Sequence, residues 1–213
     1  MAQKAILFDL DGTLTDSGEG IINCARLGLE HFGITGYTNE QLRVFVGPPL
    51  DLSFRQFGVP ADKTDEAIRV YRSRYTTVGK YENFPYPGIR ELLQKLQAKG
   101  YRLFVATSKP EALSVDILQK FSLAEYFEII AGATFDGSRS SKADVIAYLL
   151  AQTQGVEEAI MVGDTAFDVT GAAAHGIACI GVAWGYGLVE DMTAAGAKAI
   201  AHSMDELYCL LTE

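Results

Sequence analysis

From Pro87 to its end the chain repeats one pattern: a short apolar run, then a segment whose apolar residues recur every three or four positions. In "PGIRELLQKLQAKG" the residues Ile89, Leu92, Leu93 and Leu96 keep helical spacing, with Pro87 before the start and Gly100 at the stop. A strand over 101–108, a helix over 109–123 and a strand over 127–135 follow, then a helix over 141–152 and a strand over 159–165. A helix over 166–176, a strand over 177–184 and a last helix, strand and helix from Leu188 complete the series. Strands that alternate with helices pair in parallel, bury both faces of their sheet and cross over right-handedly. The expected core is a doubly wound, Rossmann-like α/β sheet, and such sheets bind ligands beyond the carboxyl ends of their strands, beside the switch point.

The first strand belongs to the same sheet. In "ILFDLDGTLTDS", residues 6 to 17, four apolar residues run into Asp9 and Asp11. Two carboxylates close together at a strand end repel each other, and desolvation sharpens the repulsion, so folding alone does not favour the pair. Residues 17–85 break the alternation. "GIINCARLGLEHFG" and "DEAIRVYRSRYTTVGKY" have helical spacing, and between them "LRVFVGPPLDLSFRQFG" reads as helix, tight turn at Gly47-Pro48-Pro49, helix. The expected organisation is a core of residues 1–16 and 86–213 with a helical cap of residues 17–85 inserted between the first strand and its crossover helix.

Composition narrows the class. The 213 residues are 48% hydrophobic and 21% charged, ordinary for a globular chain. No apolar run approaches the roughly 20 residues of a membrane span, and Ala5 to Phe8 is too short for a signal-peptide core, so a cytoplasmic protein with no membrane partner is expected. A net charge of −9 without a Lys/Arg cluster argues against nucleic-acid binding. The three cysteines, Cys24, Cys179 and Cys209, form no CxxC pair and read as buried reduced thiols. His31, His175 and His202 follow no metal or triad spacing, and nothing in the pattern specifies an oligomeric state.

Four features fall at element boundaries: Asp-x-Asp-Gly-Thr at 9–13, Thr107-Ser108, Lys142 at a helix start, and Gly-Asp-x-x-x-Asp at 163–168. Taken singly, Asp164, Asp168 or Ser108 reads as a helix cap and Lys142 as a surface lysine. Together, in this order, they resemble the haloacid dehalogenase superfamily of aspartate-nucleophile phosphotransferases along the whole chain.

On their own chemistry these residues suit transfer of a phosphoryl group. A carboxylate such as Asp9 can attack phosphorus and divide one hard displacement into two easier ones. Asp11, among acidic neighbours two residues on, is placed to give a proton to the leaving oxygen and take one from water. Gly12 permits a close approach to phosphate, and Thr13 helps to fix the loop. Thr107 or Ser108 can hold a phosphate oxygen at a helix N-terminus; the motif match points to Thr107. Lys142 supplies a point charge beside Asp9. Asp9, Asp164 and Asp168 form an oxygen-rich set that suits Mg²⁺ and, without His or Cys, not zinc. The resemblance implies Asp9, the carbonyl of Asp11 and Asp164 as ligands, with Asp168 acting through water or as an orienter.

The expected substrate is a small phosphate monoester. Dehalogenases of the superfamily lack the second aspartate, so Asp11 argues for phosphate; the mutases keep both aspartates but differ from "TDSGEGI" at the entry to the cap. The closest resemblance is to phosphoglycolate phosphatase-like enzymes, through "DLDGTLTDS", "VGPPL", "YPGI", "VATSKP" and "MVGDTAFDVTGAAAHGI". One departure, "DGSRSSKADVI" where many relatives carry Lys-Pro, resembles the branch of 5′-nucleotidases and favours nucleoside monophosphates over 2-phosphoglycolate or a sugar phosphate. Arg139 in that segment could meet a substrate phosphate or the cap, though taken singly it reads as a surface loop arginine, and Arg43 and Gly47 are candidate cap contacts. A phosphomutase, or an idle member that binds a phosphate ligand as a sensor, is the reading from another class.

Overall fold

A computed structural model describes residues 3–213. These divide into two compact units, residues 3–15 with 85–213 and residues 16–84. The chain passes between them at β2 (Thr15–Asp16) and β3 (Phe84–Pro85), two short strands that pair with each other.

The larger unit is built on a six-stranded parallel sheet. Its strands are β1 (Gln3–Phe8), β4 (Arg102–Pro110), β5 (Ile129–Ala133), β6 (Val156–Gly163), β7 (Ala178–Val182) and β8 (Ala199–Ala201). Their order is β5-β4-β1-β6-β7-β8. The chain builds outward from β1 through β4 and β5 on one side, then crosses to β6 on the other, which makes the carboxyl end of β1 the switch point.

Both faces are covered, which explains the unbroken apolar run of β1. Ile6 and Phe8 face one core with Val105, Val162 and Ile180, closed by α5 (Ile89–Ala98), α6 (Glu111–Lys120) and α10 (Met204–Thr212). Ala5 and Leu7 face the other with Phe104 and Met161, under α7 (Lys142–Gln152), α8 (Ala166–Ala173) and α9 (Val189–Ala194). On α5 the spaced residues Ile89, Leu92, Leu93 and Leu96 are the buried ones, each such side chain contributing roughly 1.5–3 kcal/mol.

The smaller unit is helical. It comprises α1 (Gly18–Glu30), α2 (Asn39–Leu42), α3 (Leu50–Gln56) and α4 (Thr64–Tyr75). Gly28 lets α1 come close, since a Cβ there would lie 2.7 Å from the Phe54 ring. Tyr71 and Tyr75 stack at 5.2 Å inside the unit, and Arg74 grips Glu82 through two 2.6 Å bonds. No helix among the described residues is long and apolar enough to cross a membrane.

Two expectations need correction. The segment expected to become helical at Lys109 stays in β4 through Pro110, and α6 begins at Glu111. Cys24 and Cys179 are buried, but Cys209 is exposed: on α10 the buried residues are Leu207 and Leu211, and Cys209 lies midway between them on the opposite face. Arg139 is held within its own unit, its Nε donating to Gly132 O at 2.6 Å and a terminal nitrogen to Glu111 at 2.7 Å, with its guanidinium 3.6 Å from the Tyr148 ring centre.

Candidate active site

Asp9 is the first residue beyond β1, its N–H donating to Val162 O at 2.9 Å as the sheet ends. The chain then closes a tight loop in which the N–H groups of Leu14 and Thr15 return to Leu10 O at 3.0 Å. Gly12 adopts φ +83° there, and a Cβ on it would lie 2.2 Å from Asp164 Oδ2. Only glycine lets this loop reach the neighbouring strand end.

Asp164 follows β6 and is enclosed. It accepts from the Thr13 hydroxyl at 3.2 Å and from the Tyr186 N–H at 2.8 Å. Gly185 and Gly187 press on it from the loop after β7, where any Cβ would lie within 2.4 Å of Asp164 atoms. Trp184 anchors that loop by donating to Thr13 O at 3.3 Å. Asp168, in the first turn of α8, accepts from the Thr165 N–H at 3.0 Å and hydroxyl at 2.8 Å. Its second oxygen is 2.7 Å from Lys142 Nζ.

Lys142 opens α7 behind an N-cap from Ser141. Its Nζ donates to Ala106 O at 3.0 Å and lies 2.8 Å from Asp9 Oδ1, so one buried ammonium faces a carbonyl and two carboxylates. Burial works against its charge, but the carboxylates of Asp168 and Asp9 outweigh it and raise the pKa. Burial pushes the Asp9 carboxyl up to about 6, and the charge of Asp168 adds to the rise; Lys142 and the Thr107 hydroxyl oppose it. Asp164 is raised as well, by burial first and then by Asp168 and Asp9.

Asp9, Asp164 and Asp168 thus offer carboxylate oxygens within 4.8 Å of one another. Three buried carboxylates against one lysine leave an excess negative charge, which adds to burial, the larger cause, in raising Asp9 and Asp164. A hard divalent cation fits this all-oxygen set.

The other sequence candidates fall as follows. Asp11 was expected among acidic neighbours; its partner is a cation, Lys109, with Nζ 2.7 Å from Oδ2. Sequence reasoning passed over Lys109 because "KPEA" reads as a helix start. Thr107 is buried and Ser108 half-buried, both still in β4 rather than at a helix N-terminus, since α6 starts only at Glu111. The Thr107 hydroxyl accepts the Lys109 N–H at 3.3 Å. Arg43 and Gly47 belong to the helical unit; Arg43 is 3.5 Å from Glu40, and Gly47 has φ +104°. The segment "WGYG" at 184–187, a glycine-rich loop after an apolar strand, brings the Tyr186 N–H and the glycines on either side of it against Asp164.

Residues 6–182 match the model of the haloacid dehalogenase-like hydrolases. The chain belongs to that family. The 5′-nucleotidase of Pseudomonas aeruginosa is 40% identical over 191 residues, covering 89% of this chain and 86% of that protein. Tyrosine-protein kinase PtkA of Mycobacterium tuberculosis is 43% identical over 207 residues, covering 96% of this chain and 71% of that one. Among solved structures, a predicted phosphatase from Clostridium acetobutylicum superposes with a TM-score of 0.94 at 41% identity, covering 99% of both chains. The haloacid dehalogenase-like family and these relatives make the protein a phosphatase of that family.

Proposed function

We propose that this phosphatase hydrolyses nucleoside 5′-monophosphates through an aspartyl phosphate on Asp9. The observation that carries the proposal is the buried Asp9 carboxylate at the switch point, held at 2.8 Å by Lys142 beside a second strand-end pair, Asp164 and Asp168. The substrate class draws on the 40% identity to a 5′-nucleotidase and on the "DGSRSSKADVI" segment.

Asp9 attacks phosphorus, and the bond from phosphorus to the ester oxygen breaks as Asp11 gives that oxygen a proton. Asp11 then takes a proton from water, whose oxygen attacks the same phosphorus, frees Asp9 and releases inorganic phosphate. Lys142 holds Asp9 and offsets its charge, while Thr107, Ser108 and the backbone at Gly12 bind phosphate oxygens. Mg²⁺, held by Asp9, the Asp11 carbonyl and Asp164 with Asp168 as orienter, would neutralise charge on the transferring group.

A second reading, transfer of the phosphoryl group to a protein tyrosine, draws on the 43% identity to a protein named a tyrosine kinase. One assay separates the readings: phosphate release with Mg²⁺ from 5′-UMP, 5′-IMP, 5′-AMP, 2-phosphoglycolate, glucose 6-phosphate and p-nitrophenyl phosphate, beside ATP with detection of phosphotyrosine. Selective kcat/KM for the nucleoside monophosphates supports the proposal. Preference for 2-phosphoglycolate or glucose 6-phosphate rejects its substrate class, and phosphotyrosine formed from ATP without monoester hydrolysis favours the kinase reading.

A further inference from the structure

β4 does not stay in step with β5 to its end. Thr107 pairs with Gly132 and the next pairing is Pro110 with Ala133, so Ser108 and Lys109 have no counterparts on β5. A bulge of this kind bends a strand and re-aims a side chain. The neighbouring strand is built to take it, because a Cβ on Gly132 would lie 2.5 Å from Lys109 O. Arg139 and Glu111 fix that glycine on both sides, Arg139 Nε donating to its carbonyl at 2.6 Å and Glu111 accepting its N–H at 3.3 Å.

The bulge delivers Lys109 to Asp11. The ammonium and carboxylate meet at 2.7 Å with side chains only 5% and 12% exposed, so this is not a solvated surface pair. At that distance, out of solvent, each side chain fixes the other. The remaining oxygen, Asp11 Oδ1, is buried without a hydrogen-bond partner. A carboxylate oxygen in that state calls for an explanation.

We infer that Lys109 is the positioning residue of Asp11: it tethers Oδ2 and leaves Oδ1 as the atom that passes the proton. The inference rests on the acid–base role proposed for Asp11. In the first half-reaction the Oδ1 proton goes to the ester oxygen as its bond to phosphorus breaks. In the second, Oδ1 takes a proton from water as the new oxygen–phosphorus bond forms. Lys109 takes no part in the transfer itself.

The test compares kcat/KM of the wild type, Lys109→Met, Asp11→Asn and the double variant on two substrates. A nucleoside 5′-monophosphate leaves as an alkoxide that needs a proton, whereas p-nitrophenolate leaves without one. Lys109→Met should lose at least about tenfold more on the nucleotide than on p-nitrophenyl phosphate. Added to Asp11→Asn, it should cost no more than about a further twofold, because it acts through a group already removed. Equal losses on the two substrates, or losses that multiply in the double variant, would overturn the inference. If Asp11→Asn itself fails to discriminate between the substrates, the acid–base reading fails; if it discriminates and Lys109→Met does not, the inference alone fails. Thermal melting accompanies each variant, and should Lys109→Met not fold, Lys109→Arg, which keeps the charge but moves it, carries the same comparison with the same criteria.

Discussion

The ammonium of Lys142 sits 2.7 Å from Oδ1 of Asp168, a carboxylate with no exposed surface. That contact makes Lys142 part of the packing between α7 and α8 as well as of the site. It also explains why Gly171 carries no side chain, since a Cβ there would lie 2.7 Å from Lys142 Cβ.

Lys142→Met should therefore damage stability and turnover together. Removing one partner of a buried charge cluster costs about 3–5 kcal/mol. Urea unfolding of the metal-free protein should report a loss of that order at pH 7.5, and phosphate release should fall by about a hundredfold or more. Unchanged stability would mean that the cluster is hydrated rather than buried.

The metal-free protein should lose stability as the pH rises from about 4 to about 6. Asp9 titrates near 3.8 when unfolded and near 6 when folded, so the folded carboxyl keeps its proton longer. The contribution of this group is full below the unfolded value and is lost as pH climbs through the folded one, a change on the order of 3 kcal/mol. Asp164, also raised, acts in the same sense. Comparing wild type with Asp9→Asn isolates the effect: the two should melt alike near pH 4, and the variant should melt higher at pH 7.5. Adding Mg²⁺ should raise the wild-type melting temperature more at pH 7.5 than at pH 4.5. A wild type that gains on the variant as the pH rises would contradict this.

Gly12→Ala should weaken divalent-cation binding at least about tenfold and destabilise the fold by about 1–3 kcal/mol, because the new Cβ meets Asp164 at a positive φ. Titration calorimetry with Mg²⁺ on a folded variant measures the first effect. Affinity equal to wild type would separate Gly12 from the cation site.

Arg139→Ala should lower stability by about 1–2 kcal/mol through its lost bonds to Gly132 O and Glu111. The ratio of kcat/KM for 5′-UMP to that for 2-phosphoglycolate should not change. A variant that shifts this ratio would return Arg139 to the substrate.

The sheet was legible because apolar runs and helical periods alternate from Pro87 onward, and its strand-end aspartates were visible because an acid directly after a buried strand is conspicuous. Lys109 was not, for its position depends on a bulge, and a register slip between two strands leaves no trace in the periodicity of either. The partners of Arg139, namely Gly132, Glu111 and Tyr148, were not legible either, because only folding brings them to it. Cys209 misled for another reason: a helix with one buried face treats a cysteine by its angle, and Leu207 and Leu211 on either side had already taken the core.

The most direct measurement is to trap the covalent intermediate. The protein is mixed with Mg²⁺ and its best monoester substrate, quenched in acid and reduced with borohydride, which converts an aspartyl phosphate to homoserine; peptide mass spectrometry then locates the change. The account predicts homoserine at position 9 in the wild type and none in Asp9→Asn. Homoserine at position 11, 164 or 168, or turnover by Asp9→Asn close to that of the wild type, would contradict it.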